Sequence, residues 1–203
     1  MFSLLLDFDG TLFDTESGHE AAYRKTFSNF QLGPCPAYES LKGIKTKEVF
    51  ERYRSVYSDT EAMANYKSST YQAGLANIKP LVDLALLKQL DRAGVNLYIV
   101  TGGSRKSIEG ILSIQQIQNL FKGIICAEDY RASKPDPEPF LTCIRKFDIH
   151  GKMHGVEDSM QGILSVRAAK LHAVGVHNPS IAPFADAFYS SIDSYLTEIL
   201  ETI

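Results

Sequence analysis

The chain has 203 residues, a hydrophobic content of 44% and a formal net charge of −3 at pH 7. This length suits one sizeable domain, or a domain with a smaller insertion, and the hydrophobic fraction allows a real core. The slightly acidic balance provides no basic patch that would favour nucleic acid as a partner.

Membrane and disulfide-based classes are also disfavoured. The longest apolar runs fall short of a membrane span, and the first three residues lead into an apolar strand without a cationic segment or cleavage site. The expected location is therefore the cytoplasm. Three widely spaced cysteines without a C-x-x-C pattern (Cys35, Cys126 and Cys143) indicate neither a disulfide framework nor a zinc site.

The first predicted element is a buried strand that begins at Leu4 and ends in the acidic segment Asp7-Phe8-Asp9-Gly10. Side chains alternate along a strand, so an ideal strand would point both carboxylates to the same face. Two acids on an apolar strand are costly to bury without a cation or protons. Ligands of open α/β sheets bind at this end of the strands. The plainer alternative is that Asp9-Gly10 is only a turn and Asp7 a surface acid.

Residues 15–80 are predicted to be helical. Parallel strands are normally joined by much shorter connections, so this stretch is interpreted as an insertion. The predicted helices are Glu16–Phe30, a short helix at Tyr38–Leu41, Lys47–Tyr57 with Thr46 as its N-cap, and a stretch from Asp59 or Thr60 to about Ala76.

Strands and helices alternate from Leu81 onward, which predicts a parallel α/β sheet with right-handed crossovers. The predicted strands are Asn96–Val100, Lys122–Ala127, Met153–Val156 and Ala173–His177. The predicted helices are Leu81–Arg92, Arg105–Leu120, Pro137–Phe147, Met160–Lys170 and a last helix at Ser194–Ile203.

Polar groups follow three of these later segments. Thr101-Gly102-Gly103-Ser104 offers a hydroxyl and glycine-flanked N–H groups to an anion. Lys134 lies in a proline-rich segment before a helix. Glu157-Asp158 ends a strand with hard oxygen ligands that suit a metal ion. Each also has a plain structural interpretation: a strand-to-helix turn with Ser104 as cap, a surface lysine, and acids at a helix N-terminus.

Four segments of the chain resemble, in order, the four motifs of the haloacid dehalogenase superfamily. They are D-x-D-G-T-L-x-D-T from Asp7, the segment at Thr101, K-P-x-P-x-x-F from Lys134 and G-V-E-D-S from Gly155. The last is similar to that of the beta-phosphoglucomutase and phosphoglycolate phosphatase branch. The resemblance implies a parallel-sheet, Rossmann-like catalytic core formed by residues 1–14 and 81–203, with an α-helical cap domain at residues 15–80.

The resemblance also implies a chemistry: Mg²⁺-dependent hydrolysis of a small phosphorylated metabolite through an aspartyl-phosphate intermediate. The acid at position 9 favours phosphoryl transfer over dehalogenation. The resemblance implies that Asp7 is the nucleophile and that Asp9 is the general acid/base. The implied metal ligands are Asp7, the Asp9 backbone carbonyl, Asp158 and, directly or through water, Glu157. The implied phosphoryl-binding groups are Thr101, Gly102 and Lys134.

The alternative within this branch is a phosphosugar mutase. The segment from Leu41 to Thr46 resembles the mutase cap, but Thr46 stands where that cap has an arginine, and lysine cannot replace a planar bidentate clamp. No role is assigned to Lys42, Lys45 or Lys47. A non-catalytic binding protein is disfavoured because all four motif positions are intact. The substrate's identity and the oligomeric state are not predicted.

Overall fold

The computed structural model of this chain describes residues 2–41, 46–53 and 59–203. The chain divides into two compact units: Met1–Asp14 with Lys79–Ile203, and Thr15–Ile78. Among the described helices, none combines the length and the apolar character that crossing a membrane requires.

The first unit contains a parallel sheet, as the alternation of strands and helices predicts. In the described part of the chain, six strands form it, in the order β3-β2-β1-β4-β5-β6. The strands are β1 (Phe2–Leu6), β2 (Asn96–Val100), β3 (Phe121–Ile125), β4 (Lys152–Glu157), β5 (His172–Val176) and β6 (Ala187–Tyr189).

The central position of β1 follows from its composition. Leu4, Leu5 and Leu6 are fully buried, because a central parallel strand has both faces covered by helices. Leu6 pairs with Ile99 of β2 on one side and with Val156 of β4 on the other. The residues that follow β1, β2 and β4 therefore meet at one edge of the sheet.

Eight α-helices are described across the two units, and the apolar faces of those in the first unit cover its sheet. Phe140, Ile163 and Val166 pack with Leu5 and Val100 in one core cluster. The helices are α1 (Thr15–Asn29), α2 (Thr46–Tyr53), α3 (Thr60–Ala73), α4 (Leu84–Arg92), α5 (Arg105–Ile114), α6 (Glu138–Lys146), α7 (Met160–Ala168) and α8 (Ile192–Thr202).

The second unit is helical and has its own aromatic core. Tyr23 and Phe27 of α1 pack with Phe50 of α2 and Met63 of α3. A unit of this size is held together mainly by burial of such side chains, because most helix stability in proteins comes from tertiary packing. Its cluster of buried core residues is Tyr23, Phe27, Leu41, Val49, Phe50 and Met63.

Several element boundaries differ from the sequence prediction. Helix α4 begins at Leu84, not at Leu81, because the Asp83 side chain accepts a hydrogen bond from Ala85 N and caps the helix there. Helix α5 ends at Ile114, shortly before Gln116, which has a positive φ of 56°. Strand β6 was not predicted, since three edge residues carry little pattern. The predicted helix end at Tyr57 lies outside the described residues.

Candidate active site

The candidate active site lies at the carboxyl edge of the sheet in the first unit. Asp7 follows β1 directly, Thr101 follows β2, and Glu157 ends β4 with Asp158 next to it. Lys134 comes from the segment before α6. The predicted site residues of this unit therefore come together because three adjacent parallel strands end at the same place.

Lys134 lies between two buried carboxylates. Its Nζ is 2.6 Å from Asp7 Oδ1 and 2.5 Å from Glu157 Oε1, and it also donates to the Val100 carbonyl at 2.9 Å. Burial alone would lower the pKa of Lys134, but the charges of Asp7 and Glu157 overcome this effect and raise it well above its usual range. The lysine is therefore a fixed cation beside Asp7.

The group of three carboxylates fits a divalent cation. One oxygen each of Asp7, Glu157 and Asp158 lies within 4.8 Å of the others. Burial, followed by the charge of Asp7, raises the pKa values of both Glu157 and Asp158. When all are ionised, three carboxylates exceed the single ammonium group of Lys134 by two negative charges. Mg²⁺ would neutralise that excess and prefers such oxygen ligands.

Asp9 makes a separate contact on the β2 side of the site. Thr101 Oγ1 donates to Asp9 Oδ2 at 2.8 Å, and Gly103 N donates to Thr101 Oγ1 at 2.9 Å. A Cβ on Gly103 would lie 3.2 Å from Asp9 Oδ2, so glycine leaves room for this carboxylate. The Thr101 hydroxyl thus orients Asp9 in this structure, a contact that the sequence analysis did not assign to it. Gly102 lies exposed on the same turn.

Two glycines make room for the other acids. Gly10 has a φ of +80°, and a Cβ there would overlap the Asp158 carboxylate. A Cβ on Gly162, in the first turn of α7, would overlap the carboxylate of Glu157. The backbone of Gly10 therefore packs closely against the Asp158 carboxylate, and the backbone of Gly162 packs closely against the Glu157 carboxylate.

Sequence reasoning did not assign roles to two residues that support the site. The Thr11 hydroxyl donates to Asp158 Oδ1 at 3.3 Å, and the Tyr130 hydroxyl donates to the Thr101 carbonyl at 3.1 Å. Thr11 belongs to the first motif, D-x-D-G-T-L-x-D-T, but the sequence does not predict its contact with Asp158. Tyr130 carries no sequence signal, because it approaches from a loop.

The three lysines named in the sequence analysis, Lys42, Lys45 and Lys47, gain no role from the structure. Lys47 forms an exposed ion pair with Glu61 at 3.1 Å. Lys42 and Lys45 lie outside the described residues. A surface ion pair of this kind contributes little to stability, and it does not mark Lys47 as a ligand-binding group.

The fold and the arrangement of acids and lysine define a hydrolase of the haloacid dehalogenase type. The family model for haloacid dehalogenase-like hydrolases matches residues 4–176, and the chain belongs to this family. The resemblance predicted from the four motifs is thereby confirmed.

The chain is similar to curated relatives with different activities. It is 28% identical over 180 residues to fructose-1-phosphate phosphatase YqaB of Escherichia coli (strain K12), a match that covers 85% of this chain and 95% of the relative. It is 27% identical over 191 residues to beta-phosphoglucomutase of Bacillus subtilis (strain 168), covering 87% and 83%. Both phosphatases and a mutase thus occur among its relatives.

A solved structure supports the same fold. The crystal structure of beta-phosphoglucomutase from Clostridium difficile matches with a TM-score of 0.77 at 24% identity, and the match covers 100% of this chain and 98% of that one. At this identity the similarity establishes the fold and not the substrate. The predicted α/β class with a parallel sheet is confirmed.

Proposed function

We propose that this protein is a Mg²⁺-dependent phosphatase that hydrolyses a small phosphorylated metabolite through an aspartyl-phosphate on Asp7. The observation that carries the proposal is the contact of Lys134 Nζ with Asp7 Oδ1 at 2.6 Å, beside a buried group of three carboxylates. A cation next to a carboxylate nucleophile is what attack on an anionic phosphoryl group needs.

In the first half-reaction, an Asp7 oxygen attacks phosphorus in line and the bond from phosphorus to the substrate oxygen breaks. Asp9 gives its proton to that leaving oxygen. Lys134 holds the transferring oxygens, which carry the negative charge, together with the N–H of the exposed Gly102. The N–H and hydroxyl of Thr101 donate to the Ile125 carbonyl and to Asp9 in this structure. A bound Mg²⁺, held by Asp7, Asp158, the Asp9 carbonyl and Glu157 directly or through water, would offset repulsion between nucleophile and phosphoryl group.

In the second half-reaction, Asp9 takes a proton from a water molecule. That water attacks the phosphorus of the aspartyl-phosphate, and the Asp7 carboxylate leaves with inorganic phosphate as the product. The hydrogen bond from Thr101 Oγ1 to Asp9 Oδ2 supports this role, because it fixes the direction of the Asp9 carboxyl group.

We propose that the helical unit, Thr15–Ile78, is the cap domain and selects the substrate. The core motifs handle only the phosphoryl group, so they cannot distinguish one phosphorylated metabolite from another. The relatives include phosphatases named for fructose-1-phosphate and for hexitol phosphates. Phosphorylated sugars and polyols are therefore the first substrates to test.

A phosphosugar mutase is the second candidate, favoured by the similarity to beta-phosphoglucomutase. A mutase must hold a second phosphate group. Thr46 stands where the mutase cap has an arginine, and threonine cannot form the bidentate pair that arginine forms with phosphate. This difference favours hydrolysis.

Release of inorganic phosphate distinguishes these functions. We expect Mg²⁺-dependent hydrolysis of p-nitrophenyl phosphate that chelation abolishes, and net phosphate release from at least one member of a panel of sugar and polyol phosphates. Isomerisation of a hexose phosphate that requires a bisphosphate activator, without net phosphate release, would establish the mutase. No turnover of any phosphate ester with Mg²⁺ would contradict both.

A further inference from the structure

The turn that leaves β5 consists of His177 and Asn178. Its backbone is fixed by two hydrogen bonds, from His177 N to Tyr189 O at 3.2 Å and from Asn178 N to Val176 O at 2.7 Å. His177 has a φ of 63°, a left-handed conformation that residues with a side chain rarely adopt. Histidine therefore carries a backbone cost here that glycine would avoid.

The His177 side chain contacts the turn after β1. Its Nε2 lies 3.2 Å from the Thr11 carbonyl oxygen, which can only accept, so Nε2 carries the hydrogen and donates. Thr11 is fully buried, and its hydroxyl donates to Asp158 Oδ1. His177 thus holds the backbone of the residue that binds the Asp158 carboxylate.

The Asn178 side chain contacts Asp158 itself. Its Nδ2 donates to the Asp158 carbonyl at 3.1 Å. Its Oδ1 accepts from Ser180 N at 3.1 Å and from Ser180 Oγ at 2.7 Å. Because the Ser180 N–H must meet an acceptor, the amide cannot be turned round, and its donor group is committed to Asp158.

These contacts restrain Asp158 at both its backbone and its carboxylate. The restraint counteracts electrostatic repulsion, because the Asp158 carboxylate lies within 4.8 Å of the acidic oxygens of Asp7 and Glu157. Like charges at this distance repel each other until a cation is bound. A free carboxylate would rotate away, and its return would reduce the free energy available from metal binding.

We propose that His177 and Asn178 are positioning residues that hold Asp158 in place for a divalent cation. The inference rests on the proposed function, because it assigns them to the cation site of the same phosphatase. Neither residue is placed among the groups that touch the reacting atoms. Residues that orient metal ligands in this way commonly change metal affinity by about 10–100-fold when they are mutated.

Four variants isolate these contacts. Asn178→Ser keeps an acceptor for the Ser180 N–H but removes the amide N–H that donates to the Asp158 carbonyl, and the serine hydroxyl is too short to replace it. His177→Asn keeps a residue that tolerates the left-handed conformation but is too short to reach Thr11. His177→Gln carries an amide donor near the position of Nε2 and is the conservative rescue. Ser180→Ala removes only the hydroxyl contact to Asn178 and is the matched control.

The measurements are Mg²⁺ binding to the substrate-free protein by calorimetry, and kcat and KM for p-nitrophenyl phosphate at saturating Mg²⁺. We expect the dissociation constant for Mg²⁺ to rise about tenfold or more in Asn178→Ser and His177→Asn. His177→Gln and Ser180→Ala should stay within about threefold of wild type. Values of kcat and KM at saturating Mg²⁺ should change by less than about threefold in all four.

An Asp158→Ala variant separates failure of this inference from failure of the proposed function. If Asp158→Ala binds Mg²⁺ weakly while Asn178→Ser and His177→Asn bind it as wild type does, the positioning role is wrong and the phosphatase proposal stands. If the wild-type protein binds Mg²⁺ no better than Asp158→Ala, the metal role of Asp158 fails, and the positioning role fails with it. A loss in kcat with unchanged Mg²⁺ binding would also overturn the positioning role.

Discussion

Lys134 Nζ lies 2.6 Å from Asp7 Oδ1, although 127 positions separate the two residues in the chain. The contact joins the first strand to the segment before α6. It places a largely buried cation against the carboxylate that we propose as the nucleophile, so it connects the fold directly to the proposed chemistry.

Replacement of Asp7 by asparagine should abolish turnover while the fold survives. The amide has nearly the same shape but cannot form an acyl phosphate, so kcat should fall by at least about a thousandfold. Steady-state phosphate release and the circular dichroism spectrum measure the two effects. Asp148→Asn is the matched control, because Asp148 is an exposed acid in the loop before β4, at the amino end of the sheet. Near-normal activity of Asp7→Asn would refute the nucleophile assignment.

Replacement of Asp9 by asparagine should affect substrates according to their leaving groups. An alkyl phosphate needs protonation of its leaving oxygen, and its first turnover should slow by about 10²–10⁴-fold. The p-nitrophenolate ion leaves without a proton, so its release in the first turnover should slow much less. Later turnovers should slow for both substrates, because Asp9 also activates water. Rapid-mixing kinetics measure the difference, and an equal first-turnover loss for the two substrates would argue against a general acid at position 9.

Gly162→Ala should damage the site despite the better helix propensity of alanine. A Cβ at this position would overlap the Glu157 carboxylate, which is buried and pairs with Lys134. We expect activity to fall at least about tenfold and the melting temperature to fall, although Gly to Ala in a helix normally stabilises by about 1 kcal/mol. Gly74→Ala is the control, since a Cβ there makes only ordinary contacts of 3.5 Å. Equal behaviour of the two variants would show that Glu157 is not fixed by this packing.

Stability in acid should depend on His154. Its Nδ1 lies 2.7 Å from the Tyr195 hydroxyl. Burial, then the neighbouring charges of His172 and Lys152, lower the pKa of His154 from 6.5 to about 4, while Asp186 opposes this shift. Between these two pH values the unfolded chain binds more protons, so stability falls as the pH falls below about 6.5.

The matched variant for this prediction is His154→Asn, which keeps a polar group near the position of Nδ1 but does not titrate. Between pH 7 and pH 5 the wild-type protein should lose about 1–2 kcal/mol more free energy of unfolding than the variant. Urea unfolding at the two pH values provides the measurement. Parallel losses in the two proteins would mean that His154 is not the titrating group.

The sequence predicted the parts of the site that depend on parallel strand order. Asp7, Thr101 and Asp158 each follow a strand, and adjacent parallel strands must end at one edge. Lys134 could be placed there only through the family resemblance, because it lies on a loop. The contacts of Asn178 could not be predicted, since an asparagine after a strand is equally typical of any turn.

The packing of carboxylate side chains against the glycines could not be predicted from the sequence either. Gly162 lies three residues beyond the last motif, but the overlap that a side chain would make with Glu157 depends on how α7 packs on β4. Strand β6 was missed for a related reason, because three residues at a sheet edge are too few to show a period. Long-range packing determines both features.

Locating the phosphoryl group on the protein tests the central claim most directly. Asp9→Asn should accumulate the intermediate with p-nitrophenyl phosphate and Mg²⁺. After an acid quench, borohydride reduction should convert the phosphorylated aspartate to homoserine, which mass spectrometry of peptides locates. We predict homoserine at position 7 and at no other aspartate. Modification at another residue, or phosphate release with no modified aspartate at any time point, would contradict the proposed mechanism.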